Sequence, residues 1–181
     1  QLVIEPVKDW RTFVDFNYRI ENQARNWDYQ KTYNHDVEGN PYPYRNSSHV
    51  YEGHNTSNYM NINAYTEYSK QLESGHNFKG MVGFQAELMK YKSISLQREG
   101  IIVPSLPSID TTSGTDAYGK EVTPSVSGNL SDWATAGFFG RLNYDFEGRY
   151  LAEINLRYDG TSRFRSDKRW KMFPSFSLGW N

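Results

Sequence analysis

Residues 133–180 decide the fold, and they read WATAGFFGRLNYDFEGRYLAEINLRYDGTSRFRSDKRWKMFPSFSLGW. Over residues 134–146 every even position is apolar or glycine, whereas the odd positions are polar or small apart from Phe139. The same parity continues after the turn at residues 147–148, and again after residues 167–168. Alternation with a period of two is typical of β-strands with one apolar and one polar face. The stretch therefore predicts three successive strands of one sheet.

Residue parity defines two faces of this predicted sheet. The even face carries Ala134, Ala136, Phe138, Gly140, Leu142, Tyr144, Phe146, Tyr150, Ala152, Ile154, Leu156, Tyr158, Trp170, Met172, Phe176, Leu178 and Trp180. The odd face carries the charged residues Arg141, Glu153, Arg157 and Asp159, and Arg163 and Arg165 follow shortly after them. Because one face is apolar and the other polar, the two faces are expected to meet different surroundings.

The rest of the chain continues the pattern. Residues Leu2–Val7, 11–27, 57–72 and 77–97 are predicted as strands, which brings the total to about seven. The segments 28–55 and 98–132 are rich in Gly, Pro, Asn, Ser and Thr, and are predicted as long loops. Short turns are expected at residues 8–9, 73–76 and 147–148. Short and long connections therefore alternate, and residues 160–169 fall among the long ones. This alternation predicts an up-and-down antiparallel sheet, all-β, as in outer-membrane barrels.

Composition narrows the class of protein. The chain has 181 residues, a net charge of -1 and no cysteine, so nucleic-acid binding, disulfides and thiolate chemistry are disfavoured. Aromatic residues make up 16%, which argues against disorder. Mean hydropathy is only -0.80, and no apolar run approaches the ~18 residues of a membrane helix. A transmembrane β-barrel remains compatible with these values, because only every second residue faces lipid.

The distance between two tryptophans supports the membrane interpretation. Ten steps separate Trp170 and Trp180, which is about 33 Å along a strand and roughly 25 Å after a tilt of about 40°. That height matches the apolar band of an outer-membrane barrel. We expect Trp170 and Trp180 to lie in the two interfacial girdles, and Tyr144, Phe146 and Tyr150 to lie in the periplasmic one. The alternative is that these aromatic residues form the core of a soluble β-sandwich, for example a carbohydrate-binding domain.

Two groups of residues are candidates for a functional site. We expect the charged odd-face residues to face the barrel lumen; they are Arg141, Glu153, Arg157, Asp159 and Arg163. They either dock a plug domain or take part in gating, or they form a lumenal network in which each charged group has a partner. Trp27 and Tyr29 come just before the loop stretch TYNHDVEGNPYPYRN, and Tyr42 and Tyr44 lie within it, beside Asn, Asp and His. These four residues are candidates for binding sugar or peptide, or for packing on other loops or a lid protein.

Catalytic and metal sites receive no support from these residues. His35, His49, His54 and His76 lack the spacing of metal ligands, and no nucleophile is placed beside a base, so we expect neither a metal, a cofactor nor an enzymatic activity. The proline at position 174 lies inside a predicted strand and lacks a ladder donor. We therefore expect a β-bulge or a broken hydrogen bond there.

The residues FFGRLNYDFEGRYLAEINLRYDGTSRF at 138–164, followed by RW and FPSFSLGW, closely resemble a stretch of SusC/RagA-type TonB-dependent transporters. The segment HNFKGMVGFQAE at 76–87 resembles the strand that follows a periplasmic turn in that family. The resemblance is dense over residues 133–180, fair over residues 57–90 and only a matter of pattern before residue 57. The chain departs from the family at Lys171-Met172, where the family more often has a small and an aromatic residue.

The resemblance implies a partner-dependent importer of the bacterial outer membrane. It implies a barrel of about 22 strands around a plug domain, a SusD-like surface lipoprotein as lid, energy from the TonB complex, and a glycan or peptide substrate. We expect residues 1–181 to be a partial barrel domain without the plug or the TonB box, and thus a piece of a longer protein that also contacts membrane lipid. A passive porin is the remaining alternative.

Overall fold

The computed structural model describes residues 1–181 and is all-β. Its nine strands are β1 Leu2–Val7, β2 Trp10–Tyr29, β3 Thr32–His35, β4 Pro41–Arg45, β5 His49–Gln71, β6 His76–Glu99, β7 Ser125–Phe146, β8 Tyr150–Thr161 and β9 Trp170–Trp180. Single turns of 3-10 helix lie at Ile109–Thr111 and Ser166–Lys168. Neither turn, nor any other helix, is long and apolar enough to cross a bilayer.

Seven of the strands form one sheet in the order β1-β2-β5-β6-β7-β8-β9. Strands β3 and β4 form a separate two-stranded hairpin between β2 and β5 in the sequence. Apart from this hairpin, strands that are consecutive in the sequence are neighbours in the sheet. This is the up-and-down antiparallel arrangement and the strand number predicted from the sequence.

The register of β7, β8 and β9 confirms the predicted parity. Leu142 pairs with Ile154, and Ile154 pairs with Phe176, so even residues stand beside even residues across three strands. Asn155 likewise stands between two odd residues, Arg141 and Ser175. A slip of one residue would exchange the two faces, and the unbroken register therefore keeps one apolar and one polar face.

The chain divides into two compact units. The first unit comprises Gln1–Ile20, Asn58–Lys90 and Asp132–Asn181, and contains β1, β8, β9 and the adjoining parts of β2, β5, β6 and β7. The second unit comprises Glu21–Ser57 and Tyr91–Ser131, and contains the remaining parts of those four strands, the β3–β4 hairpin and the loop with the first 3-10 turn. Each unit is described by itself below.

The connections alternate in length as predicted. The short ones are residues 8–9, 72–75 and 147–149, and the longer ones are residues 30–48, 100–124 and 162–169. Two of the short turns require a positive φ at a residue other than glycine, with 68° at Asp9 and 54° at Glu147. Aspartate adopts this conformation more readily than most residues, which suits a two-residue turn.

The strands are longer than the sequence predicts, and part of the predicted loop 28–55 is ordered as strand. The β3–β4 hairpin occupies residues 32–45, and β5 begins at His49 instead of residue 57. Strand β7 begins at Ser125, inside the predicted loop 98–132. Alternation in hydrophobicity is absent from residues 49–56 of β5, so the period-two pattern did not reveal that extension. In β7, Val126 and Leu130 do alternate with polar residues, but the Ser, Thr, Gly and Pro content of the segment favoured a loop.

The predicted bulge at Pro174 is wrong. Pro174 pairs with Leu156 in a ladder whose register has no shift. The Asn181 N–H donates to the Arg149 carbonyl at 2.9 Å, and since bonded pairs alternate, the hydrogen-bonded pairs of this ladder are the odd ones. The Pro174 nitrogen therefore points away from β8, and β9 is an edge strand of this sheet, so no bond within it is lost.

Candidate functional site

The even face is a continuous apolar surface in the first unit. Its residues remain exposed, with fractional exposures of 57% at Ile154 and 84% at both Phe176 and Leu178. Val50 is the only buried hydrophobic residue of the chain. A soluble sandwich covers the apolar face of one sheet with that of another, and this chain supplies no such second layer. The soluble β-domain alternative therefore lacks its core.

The apolar run on the even face ends at a definite residue in each long strand. The continuous run stops at Ile20 in β2, Met60 in β5, Leu88 in β6 and Ala134 in β7, where the next even positions are Asn22, Asn58, Lys90 and Asp132. Beyond these positions single apolar residues recur on even positions, among them Ile94 and Leu130. In β2 the run from Trp10 to Ile20 covers ten steps, about 33 Å along the strand. This is the same length as the run from Trp170 to Trp180 in β9.

Aromatic residues cluster at the ends of the even face. Near the short turn, Tyr150 pairs with Trp180, and its ring stacks on Phe146 at 6.4 Å between centroids. Tyr144 contacts Phe78 at 5.1 Å, and its hydroxyl lies 2.8 Å from the His76 ring nitrogen Nδ1.

At the other end of β9, Trp170 stacks on Tyr158 at 5.0 Å and on Phe138 at 6.4 Å. The structure thus places Tyr144, Tyr150 and Trp180 near one end of the face and Trp170 at the other end.

Four of the predicted charged residues lie together on the odd face. The Arg157 guanidinium donates two hydrogen bonds of 3.0 Å to the Asp159 carboxylate and lies over the Phe139 ring. The Arg141 Nε donates to the Asn155 carbonyl oxygen at 2.6 Å, and the Asn155 amide in turn donates to Glu153 at 2.6 Å. The Arg141–Asn155 bond and the Arg157–Phe139 contact join β7 to β8, whereas the Asn155–Glu153 and Arg157–Asp159 contacts run along β8.

Arg163 does not join this network. It lies in the connection that follows β8, and its guanidinium carbon is 4.7 Å from the centroid of the Trp133 ring.

A second charged group on the odd face was not predicted from the sequence. The Glu67 carboxylate, in a residue only 9% exposed, contacts the Arg11 guanidinium at 2.7 Å and the Lys79 ammonium at 3.0 Å. These residues come from β2, β5 and β6. Their odd residue numbers place Arg11, Glu67 and Lys79 on one face of the sheet. Which of these charged groups form ion pairs depends on the register between the strands, and the sequence does not give that register.

A polar cleft of about 520 Å³ opens on the odd face near the short turns. It is lined by Lys79, Asn143, Asp145 and Glu153, among others. The Asn77 amide donates to Asp145 at 2.7 Å, whereas the Asn143 Oδ1 is buried without a hydrogen-bond partner. A buried carbonyl oxygen without a donor is unfavourable, so the Asn143 Oδ1 is an acceptor available to a donor from outside this sheet.

In the second unit, aromatic rings assemble on the odd side of β2 and β5. The Trp27 ring stacks on Tyr51 with centroids 5.1 Å apart, and the Tyr29 ring stacks on His49 at 5.2 Å. Trp27 also meets the edge of His49 at 5.2 Å. We call Trp27, Tyr29, His49 and Tyr51 the ring cluster. Two of its members were predicted, and the other two lie in β5, in the segment predicted as loop.

The predicted residues Tyr42 and Tyr44 both lie in β4. The Arg45 guanidinium carbon is 4.7 Å from the Tyr29 centroid and 5.9 Å from the Tyr44 centroid, so Arg45 connects Tyr44 to the ring cluster. Tyr42 instead pairs with Asn34 inside the hairpin and has no ring contact with the cluster. The structure therefore brings three of the four predicted aromatic residues together.

Electrostatics near the ring cluster and the hairpin are simple. The His49 Nδ1 lies 3.6 Å from the Glu99 carboxylate. In the β3–β4 turn, hydrogen bonds from the Asn40 side chain and backbone hold the pKa of Asp36 below its usual value. No group of three or more His, Asp or Glu side chains is placed to hold a metal ion.

An exposed apolar face of membrane height, aromatic residues at both ends, and a charged opposite face define the wall of a transmembrane β-barrel. The comparisons with known proteins identify which barrel. The chain belongs to the TonB dependent receptor-like β-barrel family, whose sequence model matches residues 5–181.

Curated relatives carry the same assignment. The TonB-dependent receptor SusC of Bacteroides thetaiotaomicron is 32% identical over 146 residues, which cover 77% of this chain and 13% of SusC. The TonB-dependent receptor P39 of Formosa agariphila is 26% identical over 178 residues, which cover 98% of this chain and 16% of that receptor. The chain therefore spans a small part of the length of these relatives.

Solved structures share the fold. The RagAB peptide importer in its closed-closed state matches with a TM-score of 0.80 at 18% identity, covering 97% of this chain and 18% of the matched chain. The same importer in its open-open state matches with a TM-score of 0.81 at 19% identity, covering 96% and 18%. These matches, together with SusC, confirm the SusC/RagA-type resemblance seen in residues 133–180.

Proposed function

We propose that this chain is a wall segment of a TonB-dependent importer of the bacterial outer membrane, which binds and translocates glycans or peptides without chemical change. The observation that carries the proposal is the even face of the first unit, because an exposed apolar band about 25 Å high suits lipid and suits no soluble domain. Membership of the receptor family supports it. The proposed role is transport, and no enzymatic step or cofactor is assigned to it.

Under this proposal the odd face points into the lumen. Arg141, Glu153, Arg157 and Asp159 form a satisfied lumenal network, and the polar cleft with the unpartnered Asn143 oxygen receives a plug domain. Arg163 belongs to the rim, where it covers Trp133. Trp170 on one side and Tyr144, Tyr150 and Trp180 on the other form the two lipid-interface girdles.

The remainder of the barrel is the first partner. Strands β1 and β9 end the sheet, and an unpaired strand edge is not tolerated in hydrocarbon. Strands from other parts of the protein therefore pair with both edges and close the barrel. The other proposed partners are a SusD-like surface lipoprotein as lid, the TonB complex acting through parts outside this chain, and membrane lipid.

The substrate contacts proposed within this chain are in the second unit. Trp27, Tyr29 and Tyr44 contribute rings, together with His49 and Tyr51, and the Tyr42 ring lies on the hairpin. Aromatic rings beside amides and cations suit sugars and peptides.

Fractionation and uptake of the full-length protein test the proposed function. We expect it in the outer membrane, with heat-modifiable migration in detergent gels, and we expect uptake of its substrate to stop when TonB is removed. Uptake that persists without TonB would support the passive porin instead. A full-length protein found in the soluble fraction would contradict the proposal.

A further inference from the structure

The ring cluster is flanked by two cations without an acidic partner. The Arg45 guanidinium contacts only the Tyr29 and Tyr44 rings, at 4.7 and 5.9 Å from their centroids. The Arg25 guanidinium donates one hydrogen bond of 3.3 Å to the neutral Gln23 side chain. No carboxylate oxygen lies within 4.0 Å of either guanidinium. Both arginines therefore have hydrogen-bond donors available for an anion.

The two arginines and the rings form a row. Arg25, Trp27 and Tyr29 alternate along β2 and share its odd side, so their Cα atoms are about 7 Å apart. Arg45 continues the row, because it lies over the Tyr29 ring. Arg25 and Tyr29, which Arg45 covers, are about 13 Å apart along β2, with Trp27 between them. A ligand with negative charges repeated along an extended chain matches this arrangement.

The chemistry of the row suits a charged sugar. A guanidinium that lies over a ring keeps N–H donors at its edge, and that edge matches the geometry of a carboxylate or sulfate. The indole of Trp27, in a residue 48% exposed, offers an apolar surface beside it for the C–H groups of a pyranose. Glu99 is the acidic neighbour of the cluster, and it faces His49 and not an arginine.

We propose that Arg25, Trp27, Tyr29 and Arg45 form a subsite for acidic oligosaccharides, whose carboxylates or sulfates bind the two arginines. This inference rests on the proposed function, because it assigns the substrate class of the same importer. It adds a basis for selectivity, because the rings supply contact area to any sugar, whereas the arginines favour sugars with negative charge.

Equilibrium binding to the full-length protein in detergent tests the subsite. The probes are an oligogalacturonate, a sulfated galactan oligosaccharide, a neutral galactan oligosaccharide of equal length and an acidic peptide. We expect one or both anionic sugars to bind at least about tenfold more tightly than the neutral one, and to lose affinity as salt is raised. The carboxylated and sulfated probes then show which anion the site prefers.

Variants assign the effect to the row. Arg45→Gln and Arg25→Gln are each expected to weaken binding of the anionic sugar by about tenfold to a hundredfold, and to leave binding of the neutral sugar nearly unchanged. Arg45→Lys keeps the charge but loses the planar fork, so we expect a partial loss. Lys120→Gln, which removes an exposed cation from the turn at residues 116–120 of the same unit, serves as the matched control. Heat-modifiable migration establishes that each variant is folded.

Four results would overturn this inference while leaving the importer intact. The first two are equal affinity for neutral and anionic sugars and tighter binding of the acidic peptide. The other two are no effect of either arginine variant and binding of neither anionic sugar. By contrast, loss of TonB dependence or of outer-membrane location would contradict the proposed function itself, whatever sugar binds.

Discussion

Replacing Ile154 with arginine tests whether the even face contacts lipid. Ile154 lies in β8 between Leu142 of β7 and Phe176 of β9, and its exposed fraction is 57%. A cation on a water-exposed surface costs little. The same cation in the hydrocarbon part of a membrane must be desolvated, and the cost depends on its depth.

The register gives that depth. Phe176, the partner of Ile154, is six residues from Trp170, which is about 20 Å along the strand and about 15 Å along the membrane normal for a tilt of about 40°. In a band roughly 25 Å high, Ile154 therefore lies within about 3 Å of the midplane. Ile154→Arg should destabilise the folded barrel by about 2–4 kcal/mol. Tyr150→Arg, opposite Trp180 at the edge of the band, should cost about 0–1 kcal/mol.

The free energy of unfolding of the full-length protein in phospholipid vesicles, measured by urea titration, gives these differences. Ser175→Arg is the control for depth without lipid contact, because Ser175 is an odd-face residue opposite Asn155 and directly precedes Phe176 in the sequence. We expect it to cost less than about 1 kcal/mol. Equal losses for Ile154→Arg and Tyr150→Arg, or a loss below about 1 kcal/mol at Ile154, would refute the lipid-facing assignment.

Three further predictions use the same first unit or the hairpin. Glu67→Gln leaves two cations without their shared carboxylate, and since both cations are about half exposed, we expect a loss of about 1–2 kcal/mol in the same urea titration. Gly83→Ala places a methyl group against the odd-face side chains that cover this position, and should lower the free energy of unfolding by about 1–3 kcal/mol. Gly80→Ala is the control, because its methyl group enters open space, and should cost under about 1 kcal/mol. Equal losses for the two variants would contradict this packing. The pKa of Asp36 is lower in the folded protein than in the unfolded chain, where it is about 3.9. The ionised Asp36 carboxylate therefore stabilises the turn fully above that pH, and this stabilisation is lost as the pH falls through the pKa of the folded state. The Asn40 amide resonance should shift in that acidic range in ¹⁵N NMR of the selectively labelled protein, and a resonance unchanged to pH 2 would contradict this.

Strand parity was readable from the sequence where one face of the sheet is apolar. In residues 134–180 every strand carries the contrast between an apolar and a polar face, and the register of the structure keeps the predicted residues on the predicted sides. The short turns were also readable, because Gly75 and Gly148 adopt positive φ values of 82° and 66° at positions where a side chain would be strained. These features are local, and local sequence is sufficient to specify them.

The outer parts of the strands carry a weaker signal, so the prediction reached residue 27 in β2 but missed residues 49–56 of β5 and 125–132 of β7. Beyond Ile20, strand β2 continues as ENQARNWDY, where the even positions hold Asn22, Ala24, Asn26 and Asp28. Neither side is distinctly apolar, so period-two alternation disappears although the strand continues to Tyr29. The segment is held as a strand by its neighbours in the sheet, and pairing between distant segments leaves no local pattern.

The same limit explains what was missed in the candidate site. Trp27 and Tyr29 attract notice as exposed rings near a loop, but their partners His49 and Tyr51 are about twenty residues away in the region predicted as loop. Only the pairing of β2 with β5 brings the four rings together. Arg45 joins them through the hairpin, whose existence the Gly, Pro and Asn content concealed.

The two faces place different demands on the sequence. Lipid requires only that a side chain be apolar, so the even face specifies the fold by its period and leaves the identity of each residue nearly free. The odd face is different, because Glu67 needs two cations at defined positions and Gly83 must lack a side chain beneath the ring of Phe139. Residue identity therefore matters most where side chains meet each other. On this reasoning a change of substrate needs few substitutions, and in the proposed acidic subsite Arg25 and Arg45 are the residues whose replacement alters the ligand without altering the fold.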